Sequence, residues 1–74
     1  MTPVAADGAG FPDLVLVHPR RQLLAFAELK SDRGRVRPEQ EAWLADLREA
    51  GVVAFLWRPS DWAAIQAFLT GEQL

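Results

Sequence analysis

Three positions in this sequence carry side chains suited to chemistry on a phosphate ester. Asp13 stands directly after Gly10-Phe11-Pro12, and Glu28 and Lys30 flank Leu29 further along. Two carboxylates offer the hard oxygen ligands that Mg²⁺ takes, with waters and substrate phosphate oxygens filling the remaining positions. A lysine beside them can orient or help deprotonate an attacking water and stabilise charge in a phosphorane-like transition state. That combination equips a site for phosphodiester hydrolysis. The same residue types also make up an ordinary surface ion-pair cluster, and composition helps to choose between the two. Of the eight basic residues seven are arginines, and Lys30 is the sole lysine. A compact, titratable ammonium at that position suggests a need that a guanidinium cannot meet.

The elements that must position these groups follow from pattern. Residues 1 to 12 hold Pro3, Gly8, Gly10 and Pro12 without an apolar period and read as an irregular lead-in to a single domain over 13 to 70. Leu14 to Val17 is a short continuous apolar run, the pattern of a strand buried on both faces. An arginine-rich turn over Pro19 to Gln22 leads to a second strand, Leu23 to Lys30, and the short connection predicts an antiparallel hairpin. Its start and its end would then bring Asp13 beside Glu28 and Lys30. Period 2 sets Leu24, Phe26, Glu28 and Lys30 on one face.

After a polar loop from Ser31 to Arg37, Pro38 suits the first position of a helix that runs to Ala50, with Gly51 ending it. Glu39 and Glu41 favour that start through the macrodipole. Trp43, Leu44, Leu47 and Ala50 form its apolar stripe, and Gln40 falls on the same stripe one turn earlier. Val52 to Trp57 reads as a third buried strand. Ser60 is the expected N-cap of a last helix, Asp61 to Leu69, with Trp62, Ile65 and Leu69 on one face and Gly71 beyond it. The order ββαβα, with a right-handed crossover, predicts an α/β fold: a small mixed sheet flanked by helices.

Composition narrows the remaining possibilities. Seventy-four residues without cysteine and with one histidine, His18, exclude disulfides, cysteine-based metal sites and any site needing two imidazoles of one chain. A chain of this length buries only roughly 62% of its unfolded surface. Half of its residues are hydrophobic, so a homodimer is the expected means of covering what the core cannot. The N-terminus has no signal-peptide pattern and the longest apolar run is far too short to span a bilayer, so the expectation is a cytoplasmic protein without membrane attachment.

Taken in order, Gly10-Phe11-Pro12-Asp13-Leu14, Ala27-Glu28-Leu29-Lys30-Ser31, Pro38-Glu39-Gln40-Glu41-Ala42-Trp43-Leu44 and Gly51 resemble the VRR-NUC branch of the PD-(D/E)XK nucleases over residues 10 to 69. The resemblance implies a DNA nuclease using Mg²⁺ or Mn²⁺, held by Asp13, Glu28 and the Leu29 main-chain carbonyl, with Lys30 serving the attacking water. Gln40 matches the family's helix glutamine, in keeping with its position on the inward stripe. Family members usually carry an earlier helix that contributes a further acid. Only Asp7 is available for that here, so either a second subunit completes the site or this is a minimal version with weakened activity. Stand-alone members resemble junction-resolving enzymes that work as symmetric dimers, which implies a structure-selective endonuclease on branched DNA.

Lys30, Arg33, Arg35 and Arg37 put half of the basic residues into eight positions, opposed only by Asp32. Arg20 and Arg21 add two more in the hairpin turn. These five arginines are either solvated surface or phosphate contacts that position DNA without reading its sequence. Trp43, Trp57 and Trp62 suit core packing better than base stacking, and His18 reads as a turn residue. The rival to a catalytic role is a DNA-binding or assembly module that keeps the nuclease fold; a toxin or restriction component of the same superfold is a second.

Overall fold

The computed structural model describes residues 9–71. Strand β1 (Leu14–His18) pairs antiparallel with β2 (Leu23–Leu29), Leu14 opposite Ala27 and His18 opposite Leu23. Between them Pro19–Arg21 forms one 3-10 turn, capped locally by His18, whose Nδ1 accepts from the Arg21 N–H at 3.3 Å. Helix α1 (Pro38–Glu49) then crosses to β3 (Val53–Trp57), which runs parallel to β2 with Ala25 opposite Val53 and Leu29 opposite Trp57. A second 3-10 turn, Pro59–Asp61, leads into α2 (Trp62–Thr70). The sheet order β1-β2-β3 makes β2 the centre of a three-stranded mixed sheet, the α/β architecture expected from the pattern. Among the described residues no helix is long and apolar enough to cross a membrane.

The two faces of β2 meet different helices because successive side chains point to opposite sides. Ala25 and Ala27 are wholly buried on one face, and there Ala27, Trp57 and Ile65 pack with Leu16, Phe55 and Phe68. Alanine at the centre leaves room for the aromatic rings, of which Phe55 and Phe68 lie edge to face at 4.7 Å. On the other face Phe26 meets Phe11 edge to face at 5.9 Å, and Phe11 meets Trp43 of α1 at 4.9 Å. Such offset and perpendicular pairs suit the ring quadrupoles.

Several expectations are corrected. β1 is not buried on both faces: Val15 is 52% and Val17 67% exposed, and Leu14 is open as well. It is an edge strand, and of its apolar side chains Leu16 alone reaches the α2 core. β3 is likewise partly open, with Val53 exposed. Ala50 lies outside α1 and is exposed, while Gly51 takes the left-handed conformation at φ +85° as expected. In α2 the cap is Asp61, not Ser60, and the buried face is Ile65 with Phe68. Trp62 and Leu69 are exposed instead, because they lie at the margin of the face that Ile65 and Phe68 turn to the sheet.

Of the expected lead-in, residues 1–8 lie outside the described residues, and 9–12 form a docked segment without strand or helix. The Trp43 indole N–H donates to the Ala9 carbonyl at 2.9 Å, and Pro12 is buried. Gly10 makes this docking possible. At φ +79° it lies so close to the first turn of α1 that a Cβ would sit 2.6 Å from the Glu39 carbonyl carbon and 2.7 Å from the Gln40 nitrogen. Both the conformation and the contact demand glycine. Gly10→Ala should therefore lower stability by about 1–3 kcal/mol, read as a shifted urea midpoint at unchanged slope; a variant as stable as the parent would refute the close approach.

Candidate active site

The hairpin register brings the expected residues together. Asp13 sits just before β1, beside the end of β2, and its Oδ2 accepts from the Leu29 N–H at 2.8 Å. This bond ties the entry of one strand to the exit of the next and occupies one Asp13 oxygen. Leu29, whose carbonyl the resemblance assigns as a ligand, is thereby fixed at its other backbone group. Lys30 continues the pairing beyond the strand, its N–H donating to the Trp57 carbonyl at 3.0 Å. Its ammonium stands 3.9 Å from Glu28 Oε2.

Glu28 is the unusual member, since only 3% of it is exposed. Gln40 explains how the burial is tolerated. Its Nε2 donates to Glu28 Oε2, while its Oε1 accepts from the Arg37 N–H at 2.8 Å, an otherwise free donor at the start of α1. One amide thus serves the helix cap and the carboxylate together. Glu28 Oε1 has no hydrogen-bond partner although it is buried. Burial pushes the Glu28 carboxyl above its ordinary value, with the neighbouring Asp13 carboxylate adding to the effect and Lys30 opposing it.

Two acidic oxygens crowded together, one orphaned in the interior, form a donor set that suits a hard divalent cation. The chemistry of the residues fits such an ion, which Asp13, Glu28 and the Leu29 carbonyl would hold. Among the described residues no group of three or more acidic or histidine side chains gathers, and Asp7 lies outside them.

The arginines divide. Arg33, Arg35 and Arg37 are exposed on the loop leading from Lys30 to Gln40 and so border the site. Arg20 and Arg21 are not brought to it: they lie at the far end of the hairpin, about 20 Å away along β2. The guanidinium of Arg21 packs toward the end of α2 and is partly buried, close enough that a methyl on Gly71 would lie 3.3 Å from its Nη1. Trp43 and Trp57 are core residues, whereas Trp62 is exposed.

Sequence reasoning passed over Arg58, which donates from Nη1 to the Ser31 carbonyl at 2.7 Å and the Gly34 carbonyl at 2.8 Å. Its signal was slight, an arginine between a buried strand and a proline. Nothing local in the sequence names carbonyls more than twenty positions earlier as its partners.

A minimal mixed α/β core with an Asp, a Glu and a Lys at one end of its hairpin defines a nuclease-type domain. The family model for the VRR-NUC domain matches residues 4–60, and the chain belongs to that family, a nuclease domain of the PD-(D/E)XK superfamily. Helix α2 follows the matched segment. No curated protein and no solved structure matches the chain significantly.

The state of Glu28 has a measurable consequence. With its native pKa above the ordinary 4.5, Glu28 holds a proton more readily folded than unfolded. Its contribution to the metal-free protein is therefore fullest below that value and is lost as pH rises through the native pKa. Glu28→Gln should be the more stable protein at neutral pH in chelator, and the difference from the parent should vanish toward acid. Parallel stability-versus-pH curves for the two would contradict this.

Proposed function

We propose that the chain is a divalent-metal-dependent DNA endonuclease, selective for branched structures and working as a symmetric homodimer. The observation that carries the catalytic part is the buried, orphaned Glu28 oxygen beside Asp13 and Lys30. When bound at Asp13, Glu28 and the Leu29 carbonyl, Mg²⁺ or Mn²⁺ would supply charge neutralisation and a more acidic water. Gln40 holds Oε2 of Glu28 and so leaves Oε1 for a ligand. The Leu29 N–H orients Asp13 in the same way. Lys30 presents its ammonium beside Glu28, where it can orient the attacking water and stabilise charge on the phosphate. Arg33, Arg35 and Arg37 hold the DNA backbone next to these groups.

The dimer is supported by surface chemistry. Val15 and Val17 lie opposite Phe26 and Leu24, so they share a face with Leu24, which is 45% exposed. This patch adjoins an edge strand, a position that invites pairing with another chain. A two-fold partner would also set two sites at a fixed separation, as paired cuts on branched DNA require. Sedimentation equilibrium at micromolar concentration should give twice the chain mass; a folded monomer would sink the dimer and the paired cut with it.

Cleavage tests the main reading. Labelled linear and branched DNAs should be cut only with Mg²⁺ or Mn²⁺ present, branched forms first, and Asp13→Asn should abolish the reaction. The same metal should stabilise the parent by about 2.7 kcal/mol at a hundredfold excess over its dissociation constant, and the variant not at all. Metal-dependent stabilisation without cleavage of any DNA would favour the assembly module; indifference to millimolar Mn²⁺ would remove the metal site itself.

A further inference from the structure

The loop from Ser31 to Arg37 has neither helix nor strand assigned to it, yet it is held at both ends. Arg58 Nη1 reaches the carbonyls of Ser31 and Gly34 at 2.7 and 2.8 Å and that of Asp32 at 3.4 Å. Asp32 returns the contact, its Oδ1 accepting from the Ser60 N–H at 3.0 Å. Inside the loop the Gly34 N–H donates to the Ser31 carbonyl at 3.1 Å. At the far end Gln40 holds the Arg37 N–H. Between these anchors burial alternates: Arg33, Arg35 and Arg37 are exposed, while Gly34 and Val36 are half-buried. Val36 lines a groove with Glu41, Leu44, Arg48 and Leu56, so it lies on the side of the loop that faces α1 and β3. Arg37 is extended at φ −77°, ψ 154°.

Arg33 lies within the turn that the Gly34 N–H closes on the Ser31 carbonyl; beyond it the stretch to Arg37 has the period of two of an extended chain, in which alternate side chains share a side about 6–7 Å apart. Arg35 and Arg37 so spaced, with Arg33 on the turn before them, offer guanidinium groups to phosphates of one nucleic-acid strand. We infer that Arg58 is a positioning residue for DNA binding: it straps the Ser31–Arg37 loop to the β3–α2 connection so that Arg33, Arg35 and Arg37 meet the backbone already arranged. This rests on the nuclease reading and deepens it. Ordering the loop before DNA arrives removes an entropy loss that binding would otherwise carry. The guanidinium achieves this by donating from Nη1 to the carbonyls at both ends of the Ser31–Gly34 turn.

The test compares Arg58→Met, Asp32→Ala, the triple variant Arg33→Gln/Arg35→Gln/Arg37→Gln, and Arg58→Met within that triple. Binding of labelled duplex and branched DNA is followed by fluorescence anisotropy across salt in chelator, and amide exchange is followed at Gly34, Ser60 and the β2 residues. Arg58→Met should keep β2 protected, speed exchange at Gly34 and Ser60, and weaken binding on the order of tenfold. It should also flatten the salt slope toward that of the triple variant, about 0.9 per lost phosphate contact. Within the triple variant it should add no further loss. Asp32→Ala supplies the sharper arm. Removing an acid beside the loop would strengthen DNA binding if charge alone mattered, whereas loosening the strap should weaken it.

Additive losses from Arg58→Met and the triple variant would make Arg58 a direct phosphate contact and overturn its positioning role. Unchanged exchange at Gly34, or tighter binding by Asp32→Ala, would overturn it equally. A parent chain that binds neither duplex nor branched DNA would instead sink the DNA-cleaving reading, and the phosphate role of this loop with it.

Discussion

A carboxylate with 3% of its surface exposed, at the end of the central strand, is the constraint around which this small domain is arranged. Burying Glu28 is unfavourable unless its charge is met, and the chain meets it by halves. One oxygen takes the Gln40 amide and stands near the Lys30 ammonium; the other has no partner. Gln40 reaches Oε2 because α1 begins at Pro38, directly after an extended Arg37, which places Gln40 in its first turn. That start is in turn braced by the segment carrying Gly10, packed against Glu39 without room for a side chain. The same segment leads directly into Asp13. The docking of residues 9–12, the register of the hairpin and the first turn of α1 are therefore one structural problem with one solution.

Packing provides that solution from few residues. Because β2 is central, its two faces can be used for different purposes. Ala25 and Ala27 give up volume on one face so that the aromatic rings of β3 and α2 can close over the sheet. Phe26 and Glu28 on the other face place an aromatic anchor and the buried acid two residues apart, beneath the same helix. Phe11 and Trp43 then fix the distance between the docked segment and α1. The outer part of β1 is among the surfaces left uncovered, which explains why an apolar run that looks like core in the sequence is exposed in the fold.

The legible features of the sequence were those with short-range causes. Pro38 and Gly51 mark the limits of α1 because backbone geometry at a single residue decides them. Hairpin proximity of Asp13 to Glu28 follows from loop length, and the inward position of Gln40 from helical period. Burial was harder. Leu14 to Val17 and Val52 to Trp57 are both continuous apolar runs, yet the sheet order leaves each at an edge, and apolar composition does not report sheet order. The inward face of α2 was misplaced because Trp62, Ile65 and Leu69 share a stripe of helical period, whereas Phe68, one position before Leu69, is the residue that joins Ile65 against the sheet. The basic residues of the hairpin turn and of the loop looked alike in sequence, and only the length of β2 separates Arg20 and Arg21 from the site.

Net charge was the least informative property, and the structure shows the physical reason. A formal charge of −2 describes the sum over the chain, whereas a polyanion responds to the local field within a Debye length of its phosphates, about 8–10 Å. Here Asp32, the acid that interrupts the basic loop, is turned toward the Ser60 N–H. The alternate exposed positions after it are all arginine. Their backbone ends at the Arg37 N–H, which Gln40 holds while its amide nitrogen holds Glu28. Loop and acid are consequently joined through a single side chain. Any change in Gln40 therefore alters the helix cap, the end of the arginine-bearing loop and the buried carboxylate together.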